Sequence, residues 1–186
     1  METRLPPLHQ FKMKKAFLNP EKILDQLDIK SNMIIADFGC GSGGFTIPLA
    51  RKLENGLVHG LDVQEQPLSA LKSRFLLENL NNIKLVKCDL ETPKGSRLPP
   101  ESTDMVFIPN VLFQAENRSA IIIEAYRVLK KKSKLIIIDW IGKRIQAEIG
   151  GEISKDEVIR LSKDQGFNFE KEFEAGQYHF GLIFRK

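Results

Sequence analysis

One stretch of this chain, residues 34–46, constrains its fold more than any other. It reads IIADFGCGSGGFT: an apolar run with branched side chains, an aspartate, and then glycines at positions 39, 41, 43 and 44. Such a run is typical of a buried parallel strand, and the glycines let the backbone turn tightly and approach a ligand closely. The stretch therefore predicts a strand, a ligand-binding turn and a helix whose first amides could reach a polar ligand group.

Apolar strands and helices alternate along the chain from Asn19, a predicted helix cap, to Trp140. This alternation predicts an α/β fold built on a parallel sheet. The predicted strands cover residues 33–38, 57–62, 83–87, 104–109 and 134–140, and the later predicted helices cover residues 44–53, 67–79 and 118–129.

The C-terminal part of the chain follows a different pattern. A helix capped by Ser154 is predicted to end at Gly166, and two strand-like runs follow, at 167–173 and 178–184. Four residues separate the two runs. They must form an antiparallel hairpin, because a parallel return needs a crossover of about a dozen residues.

Length and composition limit the class of protein. The 186 residues predict one domain over residues 19–186, preceded by an N-terminal arm or lid at residues 1–18. No apolar stretch is long enough to span a bilayer and the start lacks a secretory pattern, so we expect a cytoplasmic protein. Cys40 and Cys88 are expected to be free thiols, and the three histidines lie too far apart to suggest a metal site.

Residues just after each predicted strand are the candidates for ligand binding, because ligands of an open parallel sheet lie beyond the carboxyl ends of its strands. The turn itself leaves two ligands open. Gly39, Gly41 and Gly44 fit the dinucleotide pattern G-x-G-x-x-G, and residues 37–43 also fit an acid followed by G-x-G-x-G. The second pattern is favoured, because Asp37 would repel a pyrophosphate but attract the ammonium group of an amino-acid-bearing cofactor.

The chain from about residue 20 to residue 186 resembles the class I S-adenosylmethionine-dependent methyltransferases, and most resembles the small-molecule subgroup of ubiquinone and menaquinone biosynthesis. Five segments carry the resemblance: residues 35–43, Asp62, residues 88–90, residues 104–110 and residues 126–139. The resemblance implies a Rossmann-like fold with a seven-stranded, mostly parallel sheet in the order 3-2-1-4-5-7-6. It also implies a C-terminal antiparallel hairpin, helices on both faces, and S-adenosyl-L-methionine as cofactor with S-adenosyl-L-homocysteine as product.

The same resemblance implies roles for individual residues. Asp37 and the amides of the turn would hold the methionine part of the cofactor, and Asp62 would bind the ribose hydroxyls. Val63 would pack on the adenine, while Asp89 and the Leu90 amide would read the adenine edge. The complete predicted cofactor-binding set is Asp37, Gly39, Cys40, Gly41, Gly43, Asp62, Val63, Asp89, Leu90 and Asn110.

The methyl acceptor is less constrained. An antiparallel last strand would begin at the carboxyl edge of the parallel strands, so Asn110, Trp140, Tyr178 and His179 are the candidates for the substrate rim. The sequence contains no obvious base; His179 could act as one, but a lone histidine at a strand start is more often structural. We expect a small-molecule acceptor. The basic N-terminal arm and the lysines at 130–134 leave an RNA methyltransferase as an alternative, and a catalytically silent cofactor-binding partner subunit is another.

Overall fold

The computed structural model describes residues 18–141 and 153–186, so the predicted N-terminal arm lies almost wholly outside the described residues. Helices and strands alternate along the chain in the predicted manner. The helices are α1 (Pro20–Leu24), α2 (Thr46–Lys52), α3 (Glu65–Leu77), α4 (Arg118–Val128) and α5 (Lys155–Asp164), with a 3₁₀ helix at Leu112–Gln114. The strands are β1 (Ile34–Phe38), β2 (Leu57–Asp62), β3 (Ile83–Lys87), β4 (Thr103–Pro109), β5 (Leu129–Trp140), β6 (Asn168–Glu174) and β7 (His179–Arg185).

The seven strands form one sheet in the order β3-β2-β1-β4-β5-β7-β6, which confirms the predicted topology. The first five strands pair in parallel, and β7 runs antiparallel to both β5 and β6. The carboxyl ends of β1 to β5 therefore meet at one edge of the sheet, and β7 begins at that edge because His179 pairs with Trp140. We call this side the carboxyl edge and the opposite side the amino edge.

Helices cover both faces of the sheet. In β5, Ile136 and Ile138 pack in the apolar cluster that contains α1 and α2, whereas Ile137 packs in the cluster that contains α4 and α5. Neighbouring residues of a strand point to opposite faces, so a strand covered on both sides has to be apolar throughout. This is why the predicted central strands read as uninterrupted apolar runs.

Side-chain caps fix the starts of three helices. Asn19 accepts a hydrogen bond from the amide of Lys22 at 3.0 Å, and Ser154 accepts one from the amide of Glu157 at 3.1 Å. Both caps follow the sequence prediction. A third cap, Asn117 at the start of α4, accepts from the amide of Ala120 at 3.1 Å.

The start of β5 differs from the prediction. The strand begins at Leu129, directly after α4, so the lysines at 130–132 lie in a strand and not at a helix end. Long-range pairing explains the difference. Lys132 donates its amide to the carbonyl of Lys186, and Lys186 donates its own to the carbonyl of Ser133, each at 3.0 Å. A local pattern of charged residues does not indicate pairing with a residue so distant in the sequence.

Candidate active site

The turn after β1 is fixed to the end of β2 by its own backbone. The amides of Gly39 and Cys40 both donate to the carbonyl of Leu61, at 2.8 and 2.9 Å, and the amide of Gly41 donates to Oδ2 of Asp62 at 2.9 Å. These three amides already have acceptors inside the protein. They organise the turn, and the glycines, which have no side chains, leave room for a ligand to approach the backbone.

Asp37 lies at the end of β1, fully buried beneath the turn. Its Oδ2 accepts a hydrogen bond from the hydroxyl of Thr46 at 2.5 Å, whereas its buried Oδ1 has no partner among the described residues. Burial raises the pKa of Asp37 to about 7, the Thr46 hydrogen bond opposes this rise, and the nearby charge of Asp62 adds to it. A buried carboxyl oxygen without a donor is costly, so this atom fits a ligand that brings a donor of its own.

A cleft of about 400 Å³ begins at the turn and follows the carboxyl edge towards β3. Asp62 lies on this cleft, and its Oδ1 also accepts from the amide of Gln64 at 2.9 Å. The next residue, Val63, is 59% exposed, which is high for an apolar side chain. Asp89 and Leu90 line the far end. The structure thus places a carboxylate, an exposed apolar surface and a second acid along one groove.

A second cleft of about 320 Å³ lies on the other side of the turn. Asp37 and Asn110 line it, and it shares Gly39 and Gly41 with the first cleft. Asn110 follows β4 with a φ of 55°, and its buried Oδ1 has no partner among the described residues. The two clefts therefore adjoin at the glycine turn, with unpartnered polar oxygens in the second cleft, and with Val63 and then Asp89 and Leu90 along the first.

The wall opposite the turn is the 3₁₀ helix, which the sequence did not indicate. Asp139, fully buried at the end of β5, accepts from the amide of Phe113 at 3.2 Å and from the amide of Trp140 at 2.9 Å. Arg118 donates to the carbonyl of Leu112 at 2.9 Å. Burial raises the pKa of Asp139 to about 7, while the amides and the Arg118 charge oppose this rise. Asp139 and Arg118 thus anchor the 3₁₀ helix, one through a backbone amide and the other through a backbone carbonyl.

The loop after β3 is tied to α4 by a buried polar network. Glu124 accepts from the amide of Ser96 at 3.0 Å and also from its hydroxyl, and Arg127 donates to Glu124 at 2.6 and 2.7 Å. The carboxyl group of Asp89 accepts from the amide of Glu91 at 2.9 Å. Hydrogen bonds within the protein therefore fix the position of the loop at the far end of the first cleft.

Both cysteines are buried beside the clefts. Burial raises the pKa of the Cys88 thiol to about 11 and raises that of Cys40 further. Protonated thiols are poor nucleophiles, so neither cysteine is suited to covalent catalysis.

Two of the four predicted rim residues touch each other. The rings of Trp140 and His179 lie 4.1 Å apart between centroids, tilted by 39°. Tyr178 accepts a hydrogen bond at its carbonyl from the amide of Ile141 at 2.7 Å. Asn110 belongs to the cleft beside Asp37, and its amide donates to the carbonyl of Ile138 at 2.8 Å.

Comparison with known proteins identifies the class to which this chain belongs. The model of the family described as "Methyltransferase domain" matches residues 29–176. The chain belongs to this family, and the resemblance found in its sequence is confirmed.

Individual relatives give the comparison more detail. The chain is 25% identical over 149 residues to a probable cobalt-precorrin-6B C(15)-methyltransferase (decarboxylating) of Methanosarcina mazei, covering 77% of each chain. It is 29% identical over 122 residues to a demethylmenaquinone methyltransferase of Lactobacillus johnsonii, covering 64% of this chain and 48% of that one. A solved SAM-dependent methyltransferase of Aquifex aeolicus superposes with a TM-score of 0.80 at 26% identity, over 90% of this chain and 89% of that one.

Two findings concern the described residues only. The described residues contain no group of three or more histidine, cysteine or acidic side chains arranged to hold a metal ion. None of the helices within residues 18–141 and 153–186 combines the length and the apolar character needed to cross a membrane.

Proposed function

We propose that this methyltransferase transfers a methyl group from S-adenosylmethionine to a small-molecule acceptor. The observation that carries the proposal is the pair of clefts that adjoin at the glycine turn. The buried, unpartnered Oδ1 of Asp37 lies at the second cleft, and Asp62, the exposed Val63 and Asp89 follow along the first. A cofactor with an ammonium group, ribose hydroxyls and an adenine ring has matching groups in the same order.

Each part of the cofactor has a chemically suitable neighbour. Asp37 would hold the ammonium group, because an ionised carboxylate attracts a cation strongly where water is excluded. Asp62 would accept from the ribose hydroxyls, and Val63 would cover one face of the adenine. Asp89 and Leu90 would meet the adenine edge at the end of the first cleft.

S-adenosylmethionine carries its methyl group on a sulfonium sulfur, so the group is intrinsically transferable. The main task of the protein is then to align the acceptor, and well-oriented intramolecular reactions indicate that positioning can supply up to about 7 to 11 kcal/mol. Asn110, Trp140, Tyr178 and His179 would form the rim that does so. Burial lowers the pKa of His179 to about 4, so this imidazole is a weak proton acceptor near neutral pH.

The placement of the lysines argues against RNA as the acceptor. Lys130, Lys132, Lys134 and Arg185 line a cleft of about 460 Å³ at the amino edge of the sheet. Lys134 lies six residues before the end of β5, which is about 20 Å along a strand. RNA held by these lysines would therefore lie far from the groove at the carboxyl edge.

The experiment that tests the proposal uses S-adenosylmethionine with an isotopic label in the methyl group. The protein is incubated separately with small-molecule, RNA and protein extracts of the source organism. We expect label in the small-molecule fraction, with strongly reduced transfer by an Asp62→Ala variant at subsaturating cofactor. Label in RNA would instead assign the alternative acceptor. Tight cofactor binding without transfer to any fraction would identify a silent partner subunit.

A further inference from the structure

A third cavity, of about 460 Å³, lies at the carboxyl edge beyond the rim. Its apolar lining includes Trp140, Phe173, Ala175 and Phe180, and His179 lies among them. An ion pair between Lys155 and Glu172, at 2.8 Å, also borders the cavity. These two charges offset each other, and Glu174 adds one further acid to a lining that is otherwise mainly aromatic and aliphatic.

His179 is the unusual residue of this cavity. It is only 2% exposed, and neither of its ring nitrogens has a hydrogen-bond partner among the described residues. Burial lowers the pKa of its imidazole to about 4, so the ring is neutral at physiological pH, with one donor and one acceptor nitrogen. Buried polar groups normally find a partner, so two unmet nitrogens on one ring indicate that a ligand or a water supplies the missing bonds.

The stacked neighbour keeps this ring in place. His179 and Trp140 are register partners on adjacent strands, and their rings are in contact at 4.1 Å between centroids. The Trp140 ring also meets Phe113 edge-on, at 6.5 Å between centroids. His179 is therefore held by the sheet and by an aromatic cluster, independently of any hydrogen bond to its nitrogens.

The cavity lies beside the part of the groove assigned to the methionine end of the cofactor. The amide of Asn110 bonds to the carbonyl of Ile138, so Asn110 sits opposite the last residues of β5. Adjacent strands are separated by about 5 Å, which puts Trp140 roughly one strand spacing from Asn110. A molecule bound against Trp140 and His179 would thus lie next to the position of the transferable methyl group.

We infer that this cavity is the acceptor subsite and that it takes a planar molecule without a negative charge, bearing a hydroxyl or ring N–H group, which His179 recognises by hydrogen bonding. The aromatic walls favour a flat ring, and the carboxylate of Glu174, which adds to the Lys155–Glu172 pair, disfavours an anion. The neutral imidazole offers both a donor and an acceptor to a hydroxyl. His179 is then an acceptor-binding residue and not a general base. This inference rests on the proposed function.

The test uses phenol as the probe, in the presence of S-adenosylhomocysteine, with the ring nitrogens of the histidines followed by ¹⁵N NMR. We expect phenol to shift the His179 signals from those of a neutral, unbonded imidazole to those of a hydrogen-bonded one. Benzene, which has the same shape without the hydroxyl group, should bind at least about tenfold more weakly. Absence of a shift at saturating phenol, or a His179 ring that titrates above pH 6, would overturn the inference.

A matched variant, His179→Phe, keeps an aromatic ring against Trp140 and removes both nitrogens. We expect its affinity for S-adenosylmethionine to stay within about twofold of the wild type, its preference for phenol over benzene to vanish, and its melting temperature to rise by about 2 to 6 °C. A lower melting temperature with the phenol preference retained would assign His179 a structural role.

The NMR titration of the wild type decides the matter even if the variant does not fold. The two proposals can also fail separately. Cofactor binding without a phenol response would refute only the acceptor subsite, whereas loss of cofactor binding in the wild type would refute the proposed function.

Discussion

Asp62 has two tasks in this structure, because it both shapes the turn and faces the ligand groove. It accepts from the amides of Gly41 and Gln64, each at 2.9 Å. A carboxylate that already accepts two amides has its orientation fixed before a ligand arrives. Ribose hydroxyls would then meet preorganised oxygens, and less ordering would have to occur on binding.

Replacing Asp62 by alanine should weaken S-adenosylmethionine binding about 10- to 150-fold, because a hydrogen bond to a charged group contributes about 1.5 to 3 kcal/mol. Isothermal titration calorimetry measures the change. Asp62→Asn keeps one acceptor oxygen and should give an intermediate affinity.

A control for this prediction is Asp164→Ala, which removes an exposed acid paired with Arg160 at 3.3 Å on α5. Its cofactor affinity should equal that of the wild type. If Asp62→Ala also binds the cofactor normally, Asp62 does not belong to the site.

At the scale of the element, the glycines of the turn after β1 differ in how much space surrounds them. Gly39 has a φ of +73°, and a Cβ built there would lie 2.3 Å from Cγ2 of Val111. At Gly44, apart from its neighbours in the chain, no atom of the described residues lies within 4 Å of such a Cβ. The turn therefore packs tightly against the segment after β4 at one glycine and is open at another.

Alanine at position 39 should destabilise the protein, because it combines a steric clash with a backbone conformation that L-residues rarely adopt. We expect the free energy of unfolding to fall by about 2 kcal/mol or more, together with cofactor affinity. Gly44→Ala is the matched control and should change the free energy of unfolding by less than about 1 kcal/mol. Chemical denaturation of both variants measures the difference, and equal losses would contradict this explanation.

At the scale of the whole molecule, buried groups with displaced pKa values make stability depend on pH. Burial raises the pKa of Asp37 and that of Asp139 to about 7, and it lowers the pKa of His179 to about 4. Between the usual carboxyl pKa and pH 7, the folded state therefore holds two protons that the unfolded state has released. Below pH 6.5 the unfolded state binds a proton at His179 that the folded state does not bind. This difference opposes the effect of the two acids on stability.

The free energy of unfolding without ligand should therefore decrease as the pH rises from 5.5 to 7.5. The two acids outweigh His179 and also His59, whose pKa is lowered by burial and by the charge of Lys84, and the expected net decrease is about 1 to 2 kcal/mol. Urea denaturation at the two pH values measures it. In the double variant Asp37→Asn/Asp139→Asn the effect of the histidines remains, so stability should instead rise from pH 5.5 to 6.5. A wild type that is more stable at pH 7.5 would show that these acids are ionised in the folded protein.

Much of this fold followed from local sequence patterns. The bounds of β2 and β3 match their predictions, because apolar runs between turn residues mark both strands. The start of β5 was wrong by five residues, since pairing with the C-terminal Lys186 extends that strand. No role was assigned to Asp139 from the sequence. The hydrogen bond that Asp139 accepts from the 3₁₀ helix depends on how elements distant in the sequence pack together. No local sequence pattern specifies that packing.

The division of the carboxyl edge has a consequence for how such enzymes diversify. Most residues of the two clefts at the glycine turn come from the turn after β1 and from the segments after β2, β3 and β4, whereas the cavity beside His179 is lined by β5, α5 and the hairpin. Under the two proposals above, donor binding and substrate choice would be encoded largely in separate stretches of the gene. A chimera that exchanges the C-terminal stretch from Trp140 onward should change which molecule is methylated while keeping the same donor.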